Sequence, residues 1–281
     1  VLLVLIAGGI DVSFPAVAIF AAYATVKLVI NTGTDPGPIG VFAIAMAVGG
    51  LLGLLNGVVI ARFRLPTLIV TLGTQSIFRG VLIAYIGSEY ISATGLPASI
   101  NSMSGVHLLD VTGGGYLHFM ILPVAVVTTL VALMLSRTVF GRSIYAIGGD
   151  TEAARRVGIR VVRTQVVLYV IVGALAAFGG MLYIILGRNA NPQSIVGTEL
   201  DIIAAVVLGG ASIFGGRGSV LGTTLGVILV QLINNNLVLL GIPSTWQRAA
   251  VGVLLLLGVS VQALGAARSR KRPVIIKEAA A

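Results

Sequence analysis

Cysteine is absent from the chain, so disulfide frameworks, thiolate metal sites and cysteine nucleophiles are all excluded. Charge is scarce as well: 10% of the 281 residues are charged, against about 25% in a typical soluble domain. This composition excludes a water-soluble fold. It also excludes disorder, because disordered chains are rich in charge and poor in apolar residues.

The motifs of several catalytic classes are missing too. There is no G-x-x-x-x-G-K-[ST] phosphate loop, so any energy from ATP must come from another chain. The two histidines, His107 and His118, form no H-E-x-x-H, and no G-x-S-x-G occurs. Among the nine acidic residues, Glu199 and Asp201 come nearest to an acid–base pair, at the outer end of one predicted span. We therefore expect no enzyme, no metal and no cofactor. The lack of mid-membrane carboxylates also argues against an ion-coupled secondary transporter.

Apolar residues dominate what is present, at 57% of the chain with a mean hydropathy of +1.07. The 37 glycines are typical of closely packed membrane helices. Contiguous apolar runs of about 20 residues predict an all-α, polytopic membrane helix bundle. The predicted spans cover residues 13–30, 41–61, 66–86, 118–137, 165–187, 198–214, 218–240 and 245–266, and residues 1–9 resemble the end of another. Because the chain opens at Val1 inside an apolar run, we expect at least one preceding span.

Basic residues give the orientation of these spans. Four groups hold 14 of the 18 basic residues: Arg62 and Arg64; Arg137, Arg142, Arg155, Arg156, Arg160 and Arg163; Arg217; and Arg268, Arg270, Lys271, Arg272 and Lys277. Two predicted spans separate each group from the next, so all four groups fall on one side. The positive-inside rule makes that side cytoplasmic. It contains a basic tail, residues 267–281.

The largest cytoplasmic loop, residues 140–163, carries its own helix signals. Asp150 is a good N-cap, and the charge of Glu152 in the first turn suits the helix dipole. Glu152 and Arg156 have the i,i+4 spacing of an ion pair, and Gly158 fits a C-terminal stop. A helix of about two turns is unstable alone, so it needs a partner surface. The pattern predicts a docking helix for a cytoplasmic subunit, and a solvated basic loop is the alternative.

The same loop carries a family resemblance. The pattern G-R-x-I-Y-A-I-G-G-x-x-x-A-A-R-x-x-G-I, from Gly141 to Ile159, resembles the coupling loop of permease subunits of bacterial sugar-importing ABC transporters, the ribose/xylose/autoinducer-2 type. Residues 7–13 (A-G-G-I-D-V-S), 65–80 (L-P-T-L-I-V-T-L-G-T…R-G) and 199–218 (E-L-D-I-I-A-A-V-V-L-G-G…G-G-R-G) resemble further segments of that family, in the same order.

The resemblance implies one permease domain over residues 1–281, with about ten membrane helices at full length and eight to nine here. It implies import of a monosaccharide or similar small polar solute across the bacterial inner membrane. The implied partners are an ATP-binding cassette ATPase, a periplasmic sugar-binding protein and a second permease, identical or not. A branched-chain amino acid permease is the nearest alternative. The implied coupling residues are Gly141, Arg142, Gly149, Asp150, Glu152, Ala153, Ala154, Arg155 and Gly158.

Polar residues inside the predicted spans are candidates for the translocation pathway, because polar groups at membrane depth usually face a bundle interior or water. Thr71, Gln75 and Arg79 recur every four residues on one helix face. Arg188 closes the span 165–187, where we expect it to pair with Glu199 or Asp201. A further cluster lies in the span 218–240 and comprises Gln231, Asn234 and Asn235. Hydrogen bonds between helices would explain the amides equally well.

Overall fold

The computed structural model describes residues 1–111, 115–195 and 197–241, together with residues 246, 249, 252, 253, 256, 258 and 260. It is a polytopic helical membrane protein, 74% helical and with little strand, which confirms the predicted fold class. Most of the predicted span 245–266, with Arg248, and the whole basic tail 267–281 lie outside the described residues.

The helices follow one another with short connections. They are α1 (Leu2–Ile6), α2 (Phe14–Thr32), α3 (Gly37–Phe63), α4 (Thr67–Val81), α5 (Ala98–Ser104), α6 (Ile121–Arg137), α7 (Val139–Gly149), α8 (Thr151–Arg156), α9 (Val161–Gly187), α10 (Glu199–Leu208) and α11 (Val220–Leu239). A π-helical turn, Leu82–Ile86, extends α4. Within the described residues five helical stretches are long and apolar enough to cross a membrane: α2, α3, α4 with its extension, α9 and α11. They match five of the predicted spans.

The predicted span 118–137 is followed by a helix that the sequence analysis missed. Helix α6 has 17 residues, and α7 continues the chain at an angle of 71° to it. Thr138 makes the corner: its backbone is extended, and its Oγ1 accepts a hydrogen bond from the amide of Gly141 at 3.0 Å. A side chain at Gly141 would overlap the carbonyl oxygens of Met134 and Leu135, so the corner requires glycine there.

The predicted span 198–214 is wrong in its extent. Helix α10 has ten residues and is about 15 Å long, half of what the hydrocarbon core of a membrane requires. Before it, the chain from Arg188 to Thr198 is irregular where it is described, and Pro192 and Gly197 lie in that segment. The apolar run does form a helix, but the polar and helix-breaking residues before it prevent the helix from extending to a full membrane span.

Helices α3 and α9 cross in direct backbone contact at the centre of the molecule. A Cβ on Gly53 would overlap the carbonyl oxygen of Tyr169, and one on Gly49 or Gly173 would overlap the backbone of the opposite helix. Helix α2 packs beside them, where Gly180 of α9 meets its backbone. Close approach of this kind stabilises helix pairs in lipid, where apolar burial alone gives no driving force.

The end of the bundle that the sequence predicts to lie outside carries the small elements. Strands β1 (His107–Val111) and β2 (Gly115–His118) form an antiparallel hairpin. Helix α5 is joined to the start of α3 by Asp35, whose carboxylate accepts hydrogen bonds from the amides of Gly37 at 3.0 Å and Ser99 at 2.7 Å. The bonds from Ser99, followed by that from Gly37, lower the pKa of Asp35 below its usual value.

Candidate functional site

Helix α8 forms where the capping signals predict it. The Asp150 carboxylate accepts hydrogen bonds from the amides of Glu152 at 2.9 Å and Ala153 at 3.0 Å, which satisfies two free donors of the first turn. Gly158 follows the last turn with a φ of +88°, the left-handed conformation that the predicted stop requires. Glu152 pairs with Arg155, N···O 3.2 Å, and the predicted ion pair with Arg156 is not formed.

The two alanines of α8 differ in burial. Ala154 is 3% exposed and packs in a small apolar cluster with Ile147 of α7 and Val161 of α9. Ala153 is exposed, and Val157, just past the helix, is 77% exposed. Ala154 therefore forms the contact by which α8 packs on the membrane helices, which we call the seat of α8. Ala153 and Val157 remain exposed and can contact a partner.

Immediately before α8, three chain segments meet through glycine, at what we call the glycine junction: Ile6, Gly8, Gly148, Gly215 and Gly216. A Cβ on Gly148 would overlap the carbonyl oxygen of Ile6, and the amide of Gly216 donates to that same oxygen at 2.8 Å. The junction joins the end of α7 to the end of α1 and to the loop between α10 and α11. By contrast, a Cβ on the neighbouring Gly149 would meet nothing within 4 Å.

The loop between α10 and α11 adds two features that the sequence analysis did not single out. The Tyr145 hydroxyl of α7 donates to the carbonyl of Gly218 at 2.7 Å, a second tie between this loop and α7. Phe214 lies at the tip of the loop and is 88% exposed. The sequence does contain a sign of this exposed residue, because Phe214 stands directly before Gly215-Gly216 and close to the basic Arg217, as in a surface turn.

Exposed arginines lie in the segments that form α8 and the glycine junction, on the side that the sequence predicts to be cytoplasmic. Arg142, predicted as a coupling residue, is exposed on α7. The other exposed arginines in α8, in the turn that follows it and in the loop before α11 are Arg155, Arg156, Arg160 and Arg217. Together with the exposed Val157 and Phe214, they give a basic surface with two apolar side chains, next to α8.

The predicted polar stripe of α4 faces inward. Thr71 is buried, and its hydroxyl oxygen accepts a hydrogen bond from the amide of Val12 at 3.3 Å. Gln75 is half-buried and donates through Nε2 to Oε1 of Glu199 at 2.6 Å. Arg79 is half-buried one turn further along the same helix. The stripe therefore lies against the turn before α2 at its first position and against α10 at its second.

The bond to Gln75 also fixes the depth of Glu199. Gln75 lies about 12 Å along the helical stretch Thr67–Ile86, near its middle. The carboxylate of Glu199, at the first turn of α10, therefore lies beside the middle part of this helical stretch, whereas the sequence predicts it at the outer end of a span. Arg188 is exposed at the end of α9, and no Arg188–Glu199 ion pair forms in the described part of the chain.

The amides of α11 do not meet as one cluster. Gln231 donates to Oδ1 of Asn235 at 3.2 Å along the same helix, and both side chains are exposed. Asn234 is half-buried, and its Oδ1 has no hydrogen-bond partner within the described residues. Helix α11 thus presents a polar face to its surroundings. The part of the chain that the structure describes contains no group of three potential metal ligands.

Comparison with known proteins places this geometry among transport permeases. Residues 1–259 match the family described as "Branched-chain amino acid transport system / permease component". The ribose import permease protein of Bacillus subtilis is 37% identical over 91% of this chain and 77% of its own length. Autoinducer 2 import system permease proteins are also similar. That of Escherichia coli K12 is 33% identical over 90% of this chain and 71% of its own, and that of Yersinia enterocolitica is 35% identical over 92% and 69%. No solved structure matches the chain significantly.

Proposed function

Because the chain belongs to the permease family of branched-chain amino acid transport systems, we propose that it is the membrane subunit of an ATP-driven importer for a monosaccharide or similar small polar solute. Its relatives are transport permeases, not enzymes, and it is a multi-pass membrane protein. The names of two relatives, a ribose and an autoinducer 2 import permease, support a hydroxylated solute and the bacterial inner membrane.

The observation that carries the proposal is the seat of α8. Six residues are too few to form a stable helix alone, yet Asp150 caps this one and Ala154 anchors it on α7 and α9. A short helix held this way, with Ala153 and Val157 outward, is a surface for another protein. We assign it to the ATPase, since the chain itself has no phosphate loop.

The charged side chains around α8 indicate what kind of ATPase surface would bind there. The five exposed arginines around α8 favour an acidic groove, and Val157 and Phe214 favour apolar pockets within it. Complementary charge mainly raises the association rate and sets orientation, while the apolar contacts supply affinity. The glycine junction then links the docked helix to α1 and to the loop before α11, so that movement of the ATPase reaches the membrane helices.

The pathway is proposed along α4, α10 and α11. The Gln75–Glu199 pair lies at mid-depth, at the first turn of a half-helix, where transporters commonly form their sites. Gln231 and Asn235 are exposed on α11, and amides are costly toward lipid. This polar face therefore faces water or the second permease subunit. Arg79 continues the lining on α4, and Arg188 lies at its outer entrance. Thr71 is buried and holds α4 against the turn before α2.

A branched-chain amino acid is the second candidate solute, because the matching family is described by that activity. The two candidates differ in charge. A zwitterion needs separated charged partners along its path, whereas a sugar needs hydrogen-bonding groups that release it readily. The proposed pathway holds both amides and the charged Glu199, Arg79 and Arg188, so the names of the ribose and autoinducer 2 relatives are what favours the sugar.

Reconstitution tests the proposal. The permease, its ATPase and its periplasmic binding protein are combined in liposomes, and uptake of radiolabelled monosaccharides and of leucine is measured with ATP. We expect sugar uptake that requires all three components. Vesicles without the ATPase are the matched control. Uptake driven by an ion gradient in those control vesicles would establish a secondary transporter, and uptake of leucine alone would establish the second candidate.

A further inference from the structure

A small cavity lies near the cytoplasmic ends of α2, α3 and α9. Its polar lining comes from Asp11 and Ser13, before α2, from Asn56 of α3 and from Tyr169 of α9. All four are buried. The cavity measures about 10 Å³, which is the space that the centre of one water molecule occupies.

Hydrogen bonds account for only part of this lining. Asn56 donates through Nδ2 to the Ser13 hydroxyl at 2.8 Å, and that hydroxyl donates to Oδ1 of Asp11 at 2.7 Å. The amide of Ser13 also donates to Oδ1 of Asp11, at 2.8 Å. Two buried atoms on the cavity wall, Oδ1 of Asn56 and the hydroxyl of Tyr169, have no partner within the described residues.

These two atoms require opposite chemistry. The amide oxygen of Asn56 can only accept a hydrogen bond, while the hydroxyl of Tyr169 can donate one. Asp11 adds a carboxylate, which accepts. Within the described part of the chain no lysine, arginine or histidine forms an ion pair with it. A ligand of water size that both donates and accepts satisfies all three groups, whereas a metal cation cannot accept the phenol proton.

We propose that this cavity is the binding site of one ordered water molecule. The water accepts from the Tyr169 hydroxyl and donates to Oδ1 of Asn56 and to the Asp11 carboxylate. It ties the turn before α2 to α3 and α9, and thereby positions that turn between the core crossing and the glycine junction. The site is independent of the proposed transport function, and its test requires no substrate or partner.

Tyr169→Phe removes one hydroxyl and keeps the ring. We expect the melting temperature of the purified, detergent-solubilised permease to fall by about 2–4 °C, the effect of one lost buried hydrogen bond. The matched control is Tyr183→Phe, on the same helix and half exposed, which should melt as the wild type does. Asn56→Ala serves as the second variant, and its combination with Tyr169→Phe completes a double-mutant cycle.

A shared water makes the cycle less than additive, because either single change already removes the bridge. A structure at a resolution that shows ordered water should also show density between Asn56 and Tyr169. Additive melting shifts together with an empty cavity would overturn the proposal. So would a melting temperature that rises with sodium but not with choline and loses this rise in Asp11→Asn, since it would identify a cation in place of water.

Discussion

Glycine brings backbones into contact at the α3–α9 crossing and at the glycine junction, and the two regions differ in what they join. At the crossing, Gly49, Gly53 and Gly173 hold two 27-residue helices together at successive turns in the centre of the molecule. At the junction, Gly148 contacts only the ends of a short helix and a loop, beside the exposed α8. The same residue type therefore fixes the core in one region and connects separate segments in the other.

The crossing should be the less tolerant of the two. Gly53→Ala places a methyl group on the carbonyl of Tyr169, and neither long helix can move away without losing its neighbouring contacts. Overpacking of a core costs about 1–3 kcal/mol, and here the clash is with backbone. We expect little folded protein in size-exclusion chromatography of the solubilised membrane fraction.

Gly73→Ala, on α4, is the control for that experiment because a Cβ there meets nothing within 4 Å. It should be produced and should melt like the wild type. Normal yield and melting of Gly53→Ala would show that the crossing is not the rigid centre of the molecule.

Substitution at the glycine junction should impair transport without preventing folding. Gly148→Ala pushes α7 away from the carbonyl of Ile6, and what must shift to make room is the five-residue α1 and a loop, not a second long helix. We expect a folded permease that still binds its ATPase and whose solute uptake per ATP hydrolysed falls to background. Gly149→Ala, one residue on, should transport normally. Equal uptake ratios in the two variants would mean that the junction transmits nothing.

A substitution on the outward face of α8 should have a smaller effect than those at the two glycine contacts, and it should lower the affinity for the ATPase. Ala153→Trp adds a large side chain on the outward face of α8 and leaves its seat intact. We expect affinity for the ATPase, measured by titration in nanodiscs, to fall about tenfold, or ~1.4 kcal/mol. Arg155→Gln, the comparison variant, removes an exposed charge and should change affinity less. The reverse order of the two effects would indicate docking dominated by charge.

The smallest expected effect is that of a substitution at Asp35, in the loop between α2 and α3. Asp35→Asn weakens the bonds to Gly37 and Ser99, and we expect melting to fall by about 1–2 °C at neutral pH. Because folding lowers the pKa of Asp35, its contribution is complete above the unfolded-state pKa and is lost as pH falls through the folded one. The difference between wild type and variant should thus be constant above the unfolded-state pKa and shrink as the pH falls below it. A difference that grows in acid would contradict this assignment.

Sequence patterns predicted the long helices and the cap of α8, because apolar length and capping chemistry are local properties. They did not predict α7, since the corner at Thr138 depends on Gly141 packing against the end of α6. Nor did they give the depth of Glu199, because its level is set by a partner 124 residues away in the sequence. The inward face of Ala154 likewise depends on two other helices, whereas the cap and the stop that mark the ends of α8 are set by its own Asp150 and Gly158.

Face-specific cross-linking tests the central claim, that the outward face of α8 docks on the ATPase. Because the chain has no cysteine, single cysteines at Ala153, Ala154 and Val157 can each be reacted with a short bifunctional linker in the assembled importer. We predict cross-links to the ATPase from positions 153 and 157 and none from 154, which faces α7 and α9. Cross-linking from position 154 with none from 153 or 157 would contradict the account.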